Sequence, residues 1–327
     1  MSILVTGGAG FIGSHFIEHL LATTPNHVVC LDNFNDYYDP AIKRANVASL
    51  FGHDRVVLVR GDFCDEAELS ELLENHEIEQ IVHLGGYPGV RYSVENPAVY
   101  QEVNVLGTLR VLEAARQARV ERVVVVSSST VYGSGAQAPF AEDAPLGVPQ
   151  SPYGVSKRAA ELLALNYHEL HQVPAVCVRL FSVYGPRLRP DLAMSLFAGR
   201  ILHGVPITLY GDGSIRRDFT HVSDICRGLS AALTTPGVEG QIFNLGHNQP
   251  ITMRQVIAGL ETGLGHRAIV KQQSARREDM PLTHASLAKS RRMLGYDPRM
   301  SFEAGCQDYC RWYLRTHQSY QPLQRAA

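Results

Sequence analysis

Short apolar runs rich in valine and isoleucine recur along the first half of the chain and alternate with longer segments of helical character. Runs of this kind predict buried parallel strands, and the segments between them predict crossover helices on the faces of one sheet. The predicted strands are Ile3–Thr6, His27–Leu31, Val56–Arg60, Ile78–Leu84, Val123–Ser127 and Ala175–Leu180. The predicted helices are Phe11–Ala22, Glu66–Asn75, Asn96–Arg119 and Ser151–Gln172. The pattern therefore predicts an α/β fold with a doubly wound parallel sheet.

Beyond Leu180 the alternation becomes looser, and glycine and proline become more frequent. Short strand candidates at Pro206–Leu209 and Gln241–Leu245 alternate with helical segments there. We therefore predict a first domain over residues 1–181, to which a segment near 217–236 returns, and a smaller mixed α/β lobe over residues 182–327. A ligand cleft is expected between the two, because the carboxyl ends of parallel strands meet at one edge of the sheet.

A glycine-rich segment follows the first predicted strand directly and opens the first predicted helix. Glycines at this point allow a tight turn and a close approach of the backbone to a pyrophosphate, which the helix N-terminus attracts. A glycine pattern alone is weak evidence, but its position after the first strand indicates a Rossmann-type dinucleotide site. The residues expected to contact the cofactor here are Gly7, Gly10, Phe11, Ile12 and Gly13.

Acidic residues follow the second and third predicted strands. Asp32 lies about 20 residues beyond the glycines, where a carboxylate accepts hydrogen bonds from the adenosine ribose and repels a 2′-phosphate. This position favours NAD over NADP. Asp62 and Phe63 are expected to flank the adenine. For each aspartate the alternative is a solvated residue in a turn.

Three residues form a candidate catalytic group. Ser128 lies at the end of the fifth predicted strand, and Tyr153 and Lys157 lie four residues apart near the start of a predicted helix. Residues with this spacing share one helical face. The lysine ammonium and the positive nicotinamide would favour tyrosinate, so that Tyr153 serves as general base while Ser128 relays a proton. The motif is common by chance, but here it accompanies a dinucleotide site.

The composition excludes several other classes of protein. The 327 residues are 45% hydrophobic and 19% charged, with a formal net charge of -2, so no polyanion-binding surface and no nucleic-acid partner are expected. No apolar run approaches the ~20 residues that cross a bilayer, and no signal peptide is recognisable. The six cysteines lack the spacing of a zinc site and are predicted to be buried free thiols. These features predict a cytoplasmic protein without a metal or a membrane partner.

The chain resembles extended short-chain dehydrogenases/reductases of the NAD-dependent epimerase/dehydratase family over nearly its whole length. The matching segments are TGGAGFIGS (6–14), Asp32 with Asn33, Gly61 with Asp62, HLGG (83–86), Asn104, SSSTVYG (127–133), YGVSK (153–157), RRDFTHVSD (216–224) and FNLG (243–246). The resemblance implies bound NAD, with Asn33 and Asn104 on the cofactor side. It also implies a homodimer formed by the helices near 96–119 and 151–172.

The resemblance extends to one branch of the family. Dehydratases and UDP-glucuronate decarboxylases resemble one another in an acidic residue just before the Val-Tyr-Gly of the fifth strand. This chain has Thr130 there, and a hydroxyl cannot readily replace a carboxylate acid or base. Segments 32–46, 88–97 and 184–193 are similar to those of UDP-glucuronate 4-epimerases. The resemblance thus implies conversion of UDP-glucuronate to UDP-galacturonate by oxidation at carbon 4 with bound NAD, rotation of the 4-keto sugar and reduction.

A uronate substrate needs a cation for its carboxylate. Arg189 is the residue that we expect to form two parallel hydrogen bonds with it, and Arg91 is the alternative. A surface salt bridge or a phosphate contact stays open for either arginine. Arg217 and Arg276 match family positions that hold the UDP diphosphate, and Asp279 is implied as a ribose contact. Further implied substrate contacts are Ser129, Thr130 and Ser182.

Two departures from the family bear on the substrate. The usual HLAAQAGVR reads HLGGYPGVR in residues 83–91, which brings Tyr87 and Pro88 near the expected cofactor phosphates and sugar. Ser182 stands where UDP-hexose epimerases often carry asparagine. One alternative is therefore 4-epimerisation of UDP-glucose or UDP-N-acetylglucosamine. A non-catalytic, NAD-sensing regulator is a second alternative, although such a protein would not keep the Tyr153 and Lys157 pair.

Overall fold

The computed structural model describes residues 1–274 and 281–317. Its strands are β1 (Ser2–Thr6), β2 (His27–Asp32), β3 (Val56–Arg60), β4 (Gln80–His83), β5 (Arg122–Ser128), β6 (Ala175–Leu180), β7 (Ser182–Tyr184), β8 (Ile207–Tyr210), β9 (Arg216–His221), β10 (Ile242–Leu245), β11 (Pro250–Thr252) and β12 (Val270–Gln273).

Twelve α-helices lie in the described ranges. They are α1 (Phe11–Thr23), α2 (Pro40–Asn46), α3 (Glu66–Asn75), α4 (Val90–Glu95), α5 (Pro97–Tyr100), α6 (Gly107–Ala118), α7 (Pro152–His171), α8 (Ala193–Leu202), α9 (Val222–Thr234), α10 (Met253–Leu264), α11 (Ala288–Leu294) and α12 (Phe302–His317). Short 3-10 turns occupy Ala48–Leu50 and Ser129–Tyr132, and a π-helical turn occupies Gln101–Leu106. None of these described helices combines the length and the apolar character that crossing a bilayer demands.

A seven-stranded sheet forms the centre of the molecule, in the order β10-β6-β5-β4-β1-β2-β3. Every neighbouring pair in it is parallel. Alternate residues of β1 point to opposite faces, so that Ile3 and Val5 belong to one apolar core and Leu4 to the other. Helices cover both faces, with α1 and α9 in contact on one side and α3, α6 and α7 on the other. The predicted doubly wound α/β sheet is confirmed.

The second lobe is built from small sheets and helices. Strands β11, β9 and β7 form a three-stranded sheet, and β12 pairs with β8 in a two-stranded one. The chain then returns to the first domain, because β10 pairs with β6 at the edge of the central sheet. Of the predicted returning segment, α9 packs against β5 and β6, whereas β9 belongs to the small sheet. The mixed character of this lobe agrees with the sequence pattern.

Several elements differ from the prediction. The helix expected over Asn96–Arg119 is divided into α5, the π-helical turn and α6, and α4 precedes it. Strands β7, β9, β11 and β12 were not predicted. Strands of three to six residues with many polar positions carry too little hydrophobic alternation to be recognised, because their pairing depends on distant partners.

The six cysteines are free thiols, as the sequence predicts. Five are buried, whereas Cys64 is half-buried, so the prediction of burial is wrong for that residue. Cys64 follows Asp62 in the turn after β3, and its backbone N–H donates to the Asp62 carboxylate at 2.9 Å. Its side chain packs against the edge of the apolar core as a partly buried residue.

A buried ion pair joins α7 to the central sheet. The Glu161 side chain is fully buried and accepts hydrogen bonds from Arg179 Nε at 2.8 Å and Arg179 Nη2 at 2.9 Å. It also accepts a hydrogen bond from Ser127 Oγ at 2.7 Å and forms an ion pair with Arg158 at 2.9 Å. Arg179 lies with its guanidinium 4.7 Å from the centre of the Tyr132 ring. These contacts fix the part of α7 that follows Lys157 against the ends of β5 and β6.

Replacing Glu161 with glutamine should destabilise the protein strongly, because Arg179 would stay buried without a counter-charge. We expect the free energy of unfolding to fall by about 3 kcal/mol, which urea denaturation measures. The matched control is Glu169→Gln on the same helix, where the exposed side chain should change stability by less than about 0.5 kcal/mol. Equal effects of the two substitutions would contradict the role of the ion pair.

Candidate active site

A cleft of about 1080 Å³ opens at the carboxyl ends of the central strands and is lined by both lobes. Many residues that the sequence predicts for the site line it. They are Gly7, Gly10, Phe11, Ile12, Gly13, Asp32, Asn33, Phe63, Arg91, Ser128, Ser129, Thr130, Tyr153, Lys157, Ser182, Arg189 and Arg217. Asp62 and Asn104 contact residues of the cleft wall instead. Arg276 and Asp279 lie outside the described residues.

The glycine-rich loop has the geometry that a pyrophosphate requires. Gly7 has a φ of 65°, which favours glycine, and a Cβ atom on Gly13 would lie 2.3 Å from the Gly7 carbonyl oxygen. Gly10 is the N-cap of α1 and provides no side-chain cap for the helix. The first N–H groups of α1 therefore face the cleft with the positive end of the helix dipole. These residues fit the diphosphate of a dinucleotide.

The carboxylate of Asp32 is held at the end of β2. It accepts hydrogen bonds from the backbone N–H of Ala9 at 3.2 Å and of Phe34 at 2.8 Å. The buried Lys43 lies 3.4 Å from one of its oxygens and donates to Asn35 Oδ1 at 3.0 Å. A carboxylate oxygen accepts more than one hydrogen bond, so Asp32 can still receive ribose hydroxyls.

Lys43 and Asn35 are cleft residues that the sequence analysis missed. Lys43 lies on α2, a helix of seven residues that was not predicted. Its position among the polar residues that follow Asp32 was the one available signal. Next to Asp32, Asn33 Nδ2 donates to Asp62 at 3.0 Å, which ties the loops after β2 and β3 together.

The candidate catalytic residues meet where β5 ends and α7 begins. Ser128 ends β5, and its Oγ accepts hydrogen bonds from the backbone N–H of Thr130 at 3.2 Å and from Thr130 Oγ1 at 3.0 Å. Ser151 caps α7, so that Tyr153 lies in its first turn and Lys157 one turn later. Lys157 is buried and donates to the Val126 carbonyl oxygen at 2.9 Å. Burial lowers its pKa from 10.5 to about 8, against a smaller opposing effect of Glu161.

Tyr153 is half-buried, and desolvation raises the pKa of its phenol above the ordinary value of 10.0. A hydrogen bond with Ser128 and the charge of Arg189 act in the opposite direction. The sequence analysis expected Lys157 to favour tyrosinate, but the lysine ammonium is directed at a backbone carbonyl. In the protein itself the phenol therefore holds its proton, and Ser128 is the neighbour to which it is coupled. NAD⁺, when bound, supplies a hydride acceptor and a further positive charge.

Asn104 lies in the π-helical turn, and its side chain clamps the backbone of Tyr87. Its Oδ1 accepts from the Tyr87 N–H at 2.7 Å, and its Nδ2 donates to the Tyr87 carbonyl at 2.9 Å and to Ser156 Oγ at 3.0 Å. Because π-helical turns inside helices often mark functional sites, this local distortion fits a residue on the cofactor side. The π-helical turn explains why one continuous helix over 96–119 does not form.

A buried chain of hydrogen bonds leads from β1 to Asn104. His83 lies between Thr6 Oγ1, 2.7 Å from Nδ1, and Thr108 Oγ1, 3.1 Å from Nε2. Thr108 donates to the Asn104 carbonyl at 2.6 Å, and the Gly85 N–H donates to Thr6. These partners assign the neutral tautomer with the proton on Nε2. Burial lowers the pKa of His83 to about 3, so the tautomer persists at neutral pH.

Arg189 is a cleft arginine whose charge acts on Tyr153. Its charge affects the pKa of Tyr153, and its guanidinium lies 5.8 Å from the centre of the Tyr37 ring. Its Nε and Nη2 donate to the two oxygens of Asp191 at 2.9 and 2.8 Å, a contact that the sequence analysis missed. This bidentate pair leaves the opposite edge of the guanidinium for a ligand. Arg91 lies farther out, 6.0 Å from the centre of the Tyr210 ring.

Comparison with known proteins assigns the chain to a family. Residues 3–246 match the NAD dependent epimerase/dehydratase family. The chain belongs to this family. The UDP-glucuronate 4-epimerase of Thermodesulfobacterium geofontis is 37% identical over 310 residues, which cover 94% of this chain and 95% of that protein.

Solved structures of the family share the fold. The UDP-glucuronic acid 4-epimerase of Bacillus cereus, solved in complex with UDP-glucuronic acid and NAD, superposes with a TM-score of 0.91. It is 34% identical, and the match covers 97% of this chain and all of that one. DesIV, a dTDP-glucose 4,6-dehydratase of Streptomyces venezuelae solved with NAD bound, superposes with a TM-score of 0.90. It is 34% identical, and the match covers 99% of this chain and 100% of that one. The family fold thus hosts more than one reaction, and side chains must select among them.

The lowered pKa of Lys157 makes a prediction about stability. The folded protein binds the Lys157 proton less tightly than the unfolded chain does. Burial of the charged lysine therefore lowers the free energy of unfolding by its full amount below pH 8, and this destabilisation disappears as the pH rises towards 10.5. Between pH 7 and pH 10, the unfolding free energy of the wild type should therefore gain on the order of 2 kcal/mol over that of Lys157→Met. Urea denaturation at both pH values measures this change.

The exposed Lys271 provides the control for this experiment. Lys271→Met should show the same stability difference from the wild type at both pH values, because a solvated ammonium loses little on folding. A difference for Lys157→Met that is also independent of pH would contradict the desolvation of Lys157.

Proposed function

We propose that this member of the family is a UDP-glucuronate 4-epimerase, which interconverts UDP-glucuronate and UDP-galacturonate with bound NAD. The observation that carries the proposal is the position of Arg189 beside Tyr153 in the cleft that Ser128 also lines. A guanidinium at this place can receive a sugar carboxylate while the phenol faces the adjacent hydroxyl. Thr130, in the place of an acid, supports epimerisation over dehydration or decarboxylation.

In the proposed reaction Tyr153 acts as tyrosinate, a form that the positive charge of bound NAD⁺ would favour. It accepts the proton of the 4-hydroxyl, while the hydride from carbon 4 would pass to bound NAD⁺. Ser128 hydrogen-bonds with Tyr153 and can carry the proton between the sugar oxygen and the phenol. Lys157, whose ammonium donates to the Val126 carbonyl, keeps a positive charge one helical turn from Tyr153. The 4-keto sugar then turns about its phosphate linkage while Arg217 and neighbouring residues of the second lobe hold the nucleotide. Return of hydride and proton to the other face completes the reaction without net redox change.

A specific observation favours a second candidate, epimerisation of a neutral UDP-hexose. Arg189 is already paired with Asp191, so the pair as a whole carries no net charge. A pocket of this kind attracts a carboxylate less strongly than a lone arginine would. UDP-glucose and UDP-N-acetylglucosamine are therefore the alternative substrates.

The test is incubation of the purified protein with UDP-glucuronate, without added reductant, followed by chromatographic separation of the nucleotide sugars. We expect UDP-galacturonate to appear until a stable ratio is reached, with no pentose product and no accumulation of free NADH. Conversion of UDP-glucose or UDP-N-acetylglucosamine alone would reject the uronate and retain the chemistry. Absence of conversion with every substrate would reject the proposed function.

Substitution of Arg189 tests the basis of the preference. Arg189→Gln should lower kcat/KM for UDP-glucuronate by about a hundredfold, because a charge-assisted bidentate contact contributes about 3 kcal/mol. Activity on a neutral UDP-hexose, where measurable, should change much less. The matched control is Arg187→Gln, since Arg187 pairs with Glu18 at 2.6 Å and is not among the residues that line the cleft. Equal losses on both sugars would contradict the carboxylate role of Arg189.

We also propose that the protein acts as a homodimer. Apolar side chains are exposed on neighbouring helical segments of the first domain: Val94 on α4, Leu106 on the π-helical turn, and Val155 and Leu162 on α7. Their exposed fractions are 63%, 48%, 44% and 51%. A second copy that packs its own α7 against this surface would remove them from water.

Leu162→Glu should shift the protein from dimer to monomer, because a carboxylate would be buried in an apolar interface. Size-exclusion chromatography with light scattering measures the mass. Val205→Glu, at an exposed apolar position of the second lobe, should leave the dimer intact. A monomeric wild type would reject the proposal.

We further propose a cytoplasmic location. Six free thiols support a reducing compartment, in which cysteines persist without oxidation. Fractionation of the native cell tests this assignment.

A further inference from the structure

Residues 86–89 form a tightly held turn at the edge of the cleft. Asn104 binds both the N–H and the carbonyl of Tyr87. The buried Tyr100 hydroxyl lies 2.5 Å from the Pro88 carbonyl oxygen and 3.0 Å from that of Gly89. Gly86 and Gly89 have φ values of 143° and 95°, and Pro88 restricts the backbone of the residue before it. The backbone of Tyr87 is thus fixed on both sides, which sets the direction of its ring.

The ring of Tyr87 packs among other tyrosines. It makes an edge contact with Tyr37, with ring centroids 5.9 Å apart, and stacks on Tyr92 at 6.3 Å with an interplanar angle of 15°. Contacts of these kinds stabilise aromatic pairs by about 0.5 to 1.5 kcal/mol beyond the burial of area. The ring therefore has a preferred position although it is half-exposed to solvent.

Tyr87 lies next to the glycine-rich loop of the dinucleotide groove. Its backbone follows Gly85, which lies within 2.9 Å of where a Cβ on Gly7 would be, so it starts beside the glycine-rich loop. Burial raises the pKa of its hydroxyl, followed by the effect of Tyr92 and then by the charges of Asp36 and Asp62. These aspartates belong to the loops after β2 and β3, on the adenosine side. The side chain lines the same cleft as the glycine-rich loop and Asp32.

We infer that Tyr87 is a cofactor-holding residue, whose ring, packed on Tyr37 and Tyr92, covers the dinucleotide groove and slows the dissociation of NAD(H). A glutamine at this position would offer neither the aromatic area nor the stacking contact. Covering the groove adds apolar contact to the bound dinucleotide, while the half-exposed side chain can keep its hydroxyl in contact with water.

The benefit of retaining NADH rests on the proposed function. In an epimerase that returns hydride to its own substrate, escape of NADH in mid-reaction would leave an oxidised sugar and an enzyme unable to finish the cycle. A residue that retains the dinucleotide protects each turnover from that loss.

The test measures the dissociation rate of NADH from the full-length protein. Enzyme loaded with NADH is mixed with excess NAD⁺, and the decay of bound NADH fluorescence is followed in the absence of any sugar. Tyr87→Gln should release NADH about tenfold faster, which corresponds to about 1.4 kcal/mol. Tyr87→Phe keeps the ring and should stay close to the wild-type rate. Tyr92→Leu removes the stacking partner and should give an intermediate rate.

The control is Phe51→Gln, which removes an aromatic ring that is 70% exposed in the same domain and does not line the cleft. Its release rate should equal that of the wild type. An unchanged rate for Tyr87→Gln would overturn the inference. A rate for Tyr87→Phe as high as that of Tyr87→Gln would overturn it too, because the hydroxyl and not the ring would then retain the dinucleotide.

Failure of this inference is distinguishable from failure of the proposed function. The release experiment contains no nucleotide sugar, so its outcome does not depend on which sugar the enzyme converts. A second readout is the NAD(H) content of protein purified from cells, measured after denaturation, which should fall in Tyr87→Gln and stay constant in Tyr87→Phe. An equal content in all three proteins, together with equal release rates, would leave epimerisation intact and remove Tyr87 from cofactor retention.

Discussion

The parallel alignment of β1, β4 and β5 is the constraint on which the site depends. Thr6 pairs with His83 and His83 with Val125, so these strands end together at one edge of the sheet. The glycine-rich loop, the turn at residues 85–89 and Ser128 then follow from three adjacent strand ends. A shift of one residue in this register would turn Thr6 and His83 to opposite faces and break the hydrogen bond that joins them.

Buried polar groups give this edge its rigidity. The chain from Thr6 through His83 and Thr108 connects the phosphate loop with Asn104, and Glu161 connects α7 with β6. Each group is costly to bury, but each has hydrogen-bond partners that offset much of the cost. Lys157 is the exception in energetic terms, because its lowered pKa shows that the folded state disfavours its charge. Ionisable groups with shifted pKa values are common at functional sites, although their burial destabilises the folded state.

In the proposed function, selection of the sugar depends on the segment after β7 and on the loop after β2. Arg189 and Asp191 come from that segment, whereas Tyr37 comes from the loop, and the Tyr37 hydroxyl lies 3.3 Å from Asp191. Arg189, the proposed carboxylate contact, is thus oriented by residues from two parts of the chain. Tyr37 also contacts Tyr87, so that the sugar end and the cofactor end of the cleft share one aromatic wall. This shared wall relates substrate preference to cofactor retention.

The sequence by itself determined the α/β class and indicated the glycine-rich loop, Asp32 and the candidate catalytic group, because hydrophobic periodicity and motif spacing are local properties. It could not reveal the Asp191 partner of Arg189, the ion pair of Glu161 or the role of Lys43, since these contacts join positions whose separation carries no periodic signal. It predicted one helix over Asn96–Arg119, where the tertiary structure forms a π-helical turn that Thr108 and Asn104 sustain. Local pattern fixes which elements form, and their packing decides which polar side chains meet.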